Sequence, residues 1–391
     1  MREKVDLYNY QKRLSSELAK LDSPTFIERN RQLILDFRRQ MVAEGIGTSR
    51  QIKVIWMLRK WSMLCNKPFD ALDKDDIIDL VGLIECQGWS KWTKHDHKMM
   101  LRKFFKWLKN SENYPKEVSW IRAAIPRNEL MSNQLITEEE IKKMVEVATN
   151  PRDKALLFVL YESGCRIGEL LSLRIGDVEF DEYGAILNVD GKTGKRRVRI
   201  IRSVPLLNLW LNCHKDSKNQ DSFLWVSLYD PKLSYLTPSA VRSFIRKAVA
   251  RAGIKKRVYP HLFRHTRATH LASQITESLL KKHMGWTQSS NMPATYVHLS
   301  GQELDKALLK ASGIQLNEEK KEDKLNVIQC PRCRNDNSAG TKYCFSCGFC
   351  FDIKIAIEID ETKKKVNELL DALVSRPEKL AVLLKLIQSE D

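Results

Sequence analysis

The chain has 391 residues, 43% of them hydrophobic, and a formal net charge of +17. No apolar run approaches the roughly 18 residues of a membrane span, and Met1-Arg2-Glu3-Lys4-Val5-Asp6 lacks the apolar stretch of a signal peptide, so the expectation is an intracellular protein with no membrane partner. The length suits two or three domains with ample core, and the charge excess points to a polyanion, nucleic acid being the commonest.

The first part reads as helices. Leu7, Tyr10, Leu14 and Leu18 share one face of a first helix. Ser23-Pro24 has the form of an N-cap with Pro at the first helical position, opening a helix with Phe26, Leu33, Phe37 and Met41 that Gly45 and Gly47 stop. A further helix turns Ile52, Ile55, Trp56 and Leu58 inward, and Asp73 starts another through Ile77, Ile78 and Val81. The next is the most basic: Lys91, Lys94, Lys98, Arg102, Lys103, Lys106 and Lys109 interleave with Trp92, Phe104, Phe105 and Trp107. Its aromatics read as core. So dense a like-charged face repels itself without counter-ions, which fits DNA phosphates.

Residues 110–136, with Pro115 and Pro126, read as a linker. Thr137-Glu138-Glu139-Glu140 is a capping box before Ile141, Met144 and Val145. An apolar helical region runs from Ala155 to Leu173, and Gly164 breaks it just before Arg166. Three strand-like pieces follow at Ala185 to Val189, Arg197 to Ile201 and Phe223 to Val226. The first two flank the turn Gly191-Lys192-Thr193-Gly194-Lys195. Thr237-Pro238 caps a helix with Val241, Phe244, Ile245 and Val249 inward, ended by Gly253. Further helices are expected around His261, from Ile275 to Met284, and through Leu304, Leu308 and Leu309. The expected fold class is mainly α with a small β-sheet.

Of nine Cys, Cys65, Cys86, Cys165 and Cys213 stand singly, as buried small hydrophobes do. The other five fall between Cys330 and Cys350. Cys330-Pro331-Arg332-Cys333 and Cys344-Phe345-Ser346-Cys347 form two Cys-x-x-Cys pairs with ten residues between them. Four thiolates so spaced predict a closed tetrahedral structural Zn²⁺ site, similar to a zinc ribbon, with Cys350 as a spare. Asn317 to Asn326 reads as a charged linker, and Lys363 to Gln388 as one or two helices interrupted at Pro377.

His261 and Arg264 lie three apart in Tyr259-Pro260-His261-Leu262-Phe263-Arg264-His265. On a helix they share a face, and a proton carrier beside a guanidinium suits a phosphate. His265 and His270 read as structural, on other faces. Upstream is Arg166, with Glu169 one turn later as a salt-bridge partner; downstream is Tyr296 in Pro293-Ala294-Thr295-Tyr296-Val297-His298. Taken singly, such an His-x-x-Arg occurs by chance in many helices, a basic hairpin tip is usually solvated, and a lone Tyr is usually a half-buried amphipathic side chain.

In that order, Arg, Lys, His-x-x-Arg and a late Tyr resemble the tyrosine recombinases, or phage integrase family. The resemblance covers roughly residues 20–312, and the wording around Tyr296 is most similar to archaeal members. It implies a DNA strand-exchange enzyme in which Tyr296 forms a phosphotyrosyl ester. Arg166 and Arg264 would grip the non-bridging oxygens, Lys192 would protonate the leaving 5′-oxygen, and His261 would assist proton transfer at Tyr296. Lys195, Arg196 and Arg197 read as phosphate clamps. Trp286 stands where the family commonly has His, and its indole N–H can still donate to phosphate. Tyr296 lies ten positions after Trp286, one more than the family's usual spacing; His283 and His298 are neighbouring alternatives.

The implied organisation is a helical core-binding domain at 1–125, a linker at 126–136, a catalytic domain at 137–314, a charged linker at 315–326, a zinc ribbon at 327–352 and a helical tail at 353–391. Implied partners are double-stranded DNA, a homo-tetramer on two sites, and an accessory protein at the ribbon or tail. Catalysis would need no metal or cofactor. Integration or excision of a mobile element is the expected role, with a host chromosome-dimer resolvase as the alternative. A non-catalytic DNA-binding regulator and a relaxing topoisomerase are the rivals.

Overall fold

Apolar residues recurring every three or four positions make the first part of the chain a helical bundle. The computed structural model describes residues 5–24, 26–125, 132–191, 193–228, 235–299, 312, 328–334, 336–337, 344, 349 and 351. Its backbone forms two units, Met1–Glu129 and Leu130–Asp391.

The first unit holds α1 (Tyr10–Ala19), α2 (Glu28–Ala43), α3 (Thr48–Cys65), α4 (Lys74–Cys86), α5 (Lys91–Leu108) and the short α6 (Lys116–Ser119). Phe37, Ile55, Leu58, Trp61, Phe69 and Phe104 form the middle of its core. Phe37 and Phe69 each meet the Phe104 ring edge-on at 5.3 Å. Such pairs add about 0.5–1.5 kcal/mol to the burial of each ring. The Asp73 cap is a full capping box with Asp76. The Ser23-Pro24 cap is not formed: the Phe26 N–H donates to Ser23 O in a turn, and α2 begins four residues later, after Ile27. Ile78 is exposed, whereas Ile77 is buried.

The α5 face is less self-repelling than its lysines imply. Glu85 takes both Lys98 (2.5 Å) and Lys94 (3.7 Å), Glu44 takes Lys103, and Asp96 takes Lys53. Arg102 lies over the Tyr114 ring at 3.9 Å, with Lys106 at 5.9 Å. Acids just past α2 and within α4 therefore supply part of the counter-charge that the sequence reading assigns to phosphates.

Behind that face, His97 is fully buried. Its Nδ1 accepts from Trp61 Nε1 at 2.9 Å, and its ring stacks on Trp89 at 4.5 Å. Burial pushes it down to about 4, so it is neutral in the folded chain at neutral pH.

The second unit holds α7 (Glu138–Glu146), α8 (Pro151–Ser163), α9 (Ile167–Leu171), β1 (Val178–Asp181), β2 (Gly184–Gly191), β3 (Gly194–Ile200), α10 (Val204–Cys213), α11 (Pro238–Arg251), α12 (Pro260–Ala272), α13 (Glu277–Met284) and α14 (Met292–Leu299). Far along the chain come β4 (Ile328–Gln329) and β5 (Asp336–Asn337), which pair antiparallel. The capping boxes of Thr137 and the N-cap of Thr237 form as their sequences predict. Helix α8 is buried from Ala155 to Ser163 and packs on α7, α10 and α12. A helix enclosed on every side shows no polar stripe.

The sheet is antiparallel in the order β1-β2-β3, with Val178 opposite Leu187, Ala185 opposite Ile200, and Gly191 opposite Gly194 across the turn. Two elements differ from the sequence reading. Phe223 to Val226 makes only single bridges, Arg174 to Phe223 and Val226 to Tyr235, so the third strand is β1 instead. Helix α10 was not predicted. Its start is fixed by buried Glu162 of α8, whose carboxylate accepts the N–H groups of Ile201, Arg202 and Ser203 at 2.8–2.9 Å. Among the described residues no helix is long and apolar enough to cross a membrane. The helices expected at Leu304 to Leu309 and Lys363 to Gln388, and the linker Asn317 to Asn326, lie outside the described residues.

His97 gives a pH prediction. Its folded value of about 4 lies below the ordinary 6.5, so between those pH values the unfolded chain binds more protons and stability falls with acidification. Thermal unfolding should show His97→Phe less stable than wild type near neutrality, because Trp61 loses its acceptor. Its midpoint should nevertheless fall less between about pH 6.5 and pH 5. Parallel curves would show that His97 is not the titrating group.

Candidate active site

The site is assembled around the C-terminus of α13. Gly285 ends that helix with φ +62°. The Gly285 and Trp286 N–H groups turn back to the carbonyls of Lys282 (3.3 Å) and Lys281 (2.9 Å). This is the glycine-terminated cap that satisfies two of the last helical carbonyls. The next three carbonyls remain, and each accepts from an arginine. His283 O takes Arg196 Nε at 3.0 Å, Met284 O takes Arg264 Nη2 at 2.5 Å, and Gly285 O takes Arg166 Nη2 at 3.5 Å.

Arg264, on α12, is 2% exposed, and its Nη1 also donates to Gly164 O at 2.8 Å. Burial, then the charge of Arg166, bring it down to about 10, so it stays cationic. Arg166 caps α9 and is 33% exposed. Its Nη1 pairs with Glu169 Oε1 at 2.7 Å, and its backbone N–H donates to Oε2 at 2.9 Å. His261 stands on the same helix as Arg264, and burial, Arg264 and Arg166 all hold its proton affinity below the ordinary value. Arg166, Arg264 and His261 are thus brought into one cluster.

Tyr296 joins it from α14. It is 2% exposed and stacks on Trp286 at 5.4 Å with planes 9° apart. Arg264 lies over the other ring, Trp286, at 5.5 Å. The Tyr296 hydroxyl contacts His265 Nδ1 at 2.6 Å, and the His265 ring is met edge-on by His261 at 4.7 Å. Burial pushes Tyr296 up to about 12. His265 therefore belongs to the site rather than to another face. The signal was available: residues four apart on a helix are neighbours, as His261 and His265 are. His270 contacts Tyr161 Oη at 2.9 Å, away from Tyr296. The position of Lys192 lies outside the described residues. Its neighbour Thr193 donates to Gly285 O at 3.1 Å, which ties the hairpin turn to the same carbonyl as Arg166.

Arg196 is not on the surface as a phosphate clamp. Strand alternation turns Arg196, Val198 and Ile200 inward and leaves Lys195, Arg197 and Arg199 outward. Arg196 is 8% exposed and pairs with Glu169 Oε2 at 2.8 Å. Burial raises the Glu169 carboxyl, but the two arginines outweigh it and hold the group below the usual range. At Gly285 a Cβ would fall 2.9 Å from the Arg196 guanidinium, so glycine is needed there for space as well as for φ. Three guanidiniums and one carboxylate leave the site cationic, and it suits an anion such as a phosphate diester.

A separate cluster forms from the cysteine pairs. The sulfurs of Cys330, Cys333 and Cys344 all lie within 4.8 Å of one another, with Cys333 and Cys344 at 3.5 Å. Thiolates about 2.3 Å from one Zn²⁺ in a tetrahedron stand about 3.8 Å apart, so the set fits that ion. Arg334, at φ +58°, donates its N–H to Cys330 O at 2.8 Å and closes the first turn. Cys347 lies outside the described residues.

Breaking the Arg196–Glu169 pair should leave a buried carboxylate half-compensated. Arg196→Met should lower folding stability by about 3–5 kcal/mol, read as a drop in the thermal midpoint. An unchanged midpoint with weakened, salt-sensitive DNA binding would return Arg196 to a phosphate-contact role.

The phage integrase family profile matches residues 134–303. Tyrosine recombinase XerA of Thermococcus onnurineus is 30% identical over 235 residues, covering 59% of this chain and 78% of that protein. XerA of Pyrococcus horikoshii is 31% identical over 182 residues, 46% of this chain and 62% of the relative's length. Of solved structures, XerH bound to difH substrate in a post-cleavage complex is 19% identical at a TM-score of 0.55, covering 78% of this chain and 96% of that one. Lambda integrase residues 75–356 bound to DNA is 16% identical at the same TM-score, covering 71% and 98%. These two share the fold. Because the profile match runs from before the α7 capping box to beyond Tyr296, and the Thermococcus relative is matched over most of its length, the chain belongs to the phage integrase family, the tyrosine recombinases.

Proposed function

We propose that this protein is a site-specific DNA recombinase that breaks and rejoins strands through a 3′-phosphotyrosyl intermediate. The observation that carries the reading is the juxtaposition of Arg166, Arg264, His261 and Trp286 with the buried Tyr296 hydroxyl. In the cleavage step the Tyr296 Oη–P bond forms and the P–O5′ bond breaks. Lys192 gives a proton to the 5′-oxygen, and the phenolic proton passes to His261, whose proton affinity burial, Arg264 and Arg166 hold below the ordinary value. Arg166 and Arg264 meet the extra charge on the non-bridging oxygens, and the Trp286 N–H adds a donor. The ester keeps the bond energy, so no cofactor is required; attack by a 5′-hydroxyl reverses the step.

Double-stranded DNA is the proposed partner, supported by the net charge and by the DNA-bound states of XerH and lambda integrase. Recombination between two sites implies a tetramer, with residues 1–125 as the core-binding half of the clamp and 137–314 as the catalytic half. The protein would act in the cytoplasm on the DNA. Likeness to archaeal integrases favours integration or excision of a mobile element. Similarity to XerA favours the second reading, resolution of chromosome dimers. Cys330, Cys333, Cys344 and Cys347 would hold a structural Zn²⁺ in a ribbon at 327–352, a platform for DNA or an accessory protein.

A nicked suicide substrate should trap the chain on DNA, and Tyr296→Phe should abolish the adduct while DNA binding persists. An adduct that survives Tyr296→Phe sinks the assignment. Elemental analysis should find about one Zn²⁺ per chain, falling when Cys330 and Cys344 are both replaced by Ser. Metal content indifferent to those changes would remove the ribbon from the account.

A further inference from the structure

Helix α12 presents His265 one residue after Arg264 and four after His261. Helix α14 packs back on α12, so that His265 Nδ1 and Tyr296 Oη come within 2.6 Å. On the other side, Trp286 lies nearly parallel to the Tyr296 ring. The phenol thus sits in a slot. The indole fixes the plane of the ring, and one hydrogen bond fixes its hydroxyl.

The direction of that hydrogen bond follows from the two groups. Burial, then His261 and Arg264, bring His265 down to about 4, while burial holds Tyr296 up at about 12. At neutral pH both are neutral, so the phenol donates and Nδ1 accepts, with the imidazole proton on Nε2. A gap that wide keeps the proton on the phenol. His265 can orient the hydroxyl but is too weak a base to strip it.

We infer that His265 is a positioning residue for the nucleophile, accepting the hydrogen bond of the Tyr296 hydroxyl at its Nδ1 so that the oxygen presents a lone pair to the phosphate gripped by Arg166 and Arg264. The inference rests on the proposed role of Tyr296 as nucleophile and adds no bond change to the step given above. It differs from the proposed role of His261: His265 orients the hydroxyl before attack, and the proton leaves that hydrogen bond for the neighbouring His261 only once the new bond begins to form.

Single-turnover cleavage of the suicide substrate at saturating enzyme tests it. His265→Leu should slow cleavage on the order of 10²-fold, the usual effect of a reacting atom displaced by about 1 Å. DNA affinity should not change. His265→Asn, whose side-chain oxygen can occupy the place of Nδ1, should recover most of the rate. A substrate with a bridging 5′-phosphorothiolate should rescue Lys192→Ala but not His265→Leu, because it eases only the departure of the 5′ group. If His265→Leu does not fold, His265→Ala with added imidazole replaces it, and imidazole should restore the rate. Leu and Asn variants equally slow, a wild-type rate in His265→Leu, rescue of His265→Leu by the phosphorothiolate, or no response of His265→Ala to imidazole would each overturn the inference. If instead Tyr296→Phe still forms the adduct, the nucleophile assignment has failed, and these rates no longer bear on Tyr296.

Discussion

Three consecutive backbone carbonyls at the end of α13, those of His283, Met284 and Gly285, each hold a different arginine of the site. Helix ends leave four carbonyls without an internal partner, and the negative end of the helix dipole favours cations there. The Gly285 cap returns N–H groups only to Lys281 and Lys282, which leaves the next three carbonyls for side chains. The positions of Arg196, Arg264 and Arg166 are therefore set by the pitch of one helix end. Those arginines come from β3, α12 and the N-terminus of α9, elements far apart in sequence. A helix that ended one residue earlier or later would misplace all three.

Bringing three guanidiniums together in a part-buried space is costly, and the fold offsets it incompletely. Glu169 is the one carboxylate shared by Arg166 and Arg196, on separate oxygens. Arg264 has carbonyl dipoles for partners and no acid of its own among its hydrogen bonds. The residual charge is why the site favours an anion. The cost of desolvating and orienting these groups is met when the chain folds, so they need not reorganise as charge builds on a bound phosphate. Glu169 also fixes a division of labour. It turns Arg196 into a strut and leaves the more exposed Arg166 facing the open side.

The helical class, the capping boxes and the shared helix of His261 and Arg264 were legible because they follow local rules of period and spacing. What was not legible depended on enclosure. Helix α8 carries no polar stripe because it is surrounded, and β1 is an edge strand of four residues whose apolar-polar alternation, Val178-Glu179-Phe180-Asp181, is too short to mark a strand and buries no face, Phe180 being exposed. Arg196 was misread from composition although period-2 alternation from Val198 and Ile200 already turned it inward. His265 was misread by treating its neighbour relation to His261 as a change of face. The partner of His265 arrives from α14, thirty-one residues later, which no local pattern announces.

The same helix end also governs the placement of Tyr296, the proposed nucleophile. Trp286 is the second residue past the end of α13, and its backbone N–H closes the cap on Lys281. Its indole is the surface on which the Tyr296 ring lies, with the Arg264 guanidinium against the indole as well. Whatever fixes the cap therefore fixes the plane of the phenol relative to the arginines. A rigid aromatic at this position provides that reference surface, which a smaller imidazole would provide over less area. The stack thus sets where the Tyr296 ring rests, ten positions along the chain from the indole.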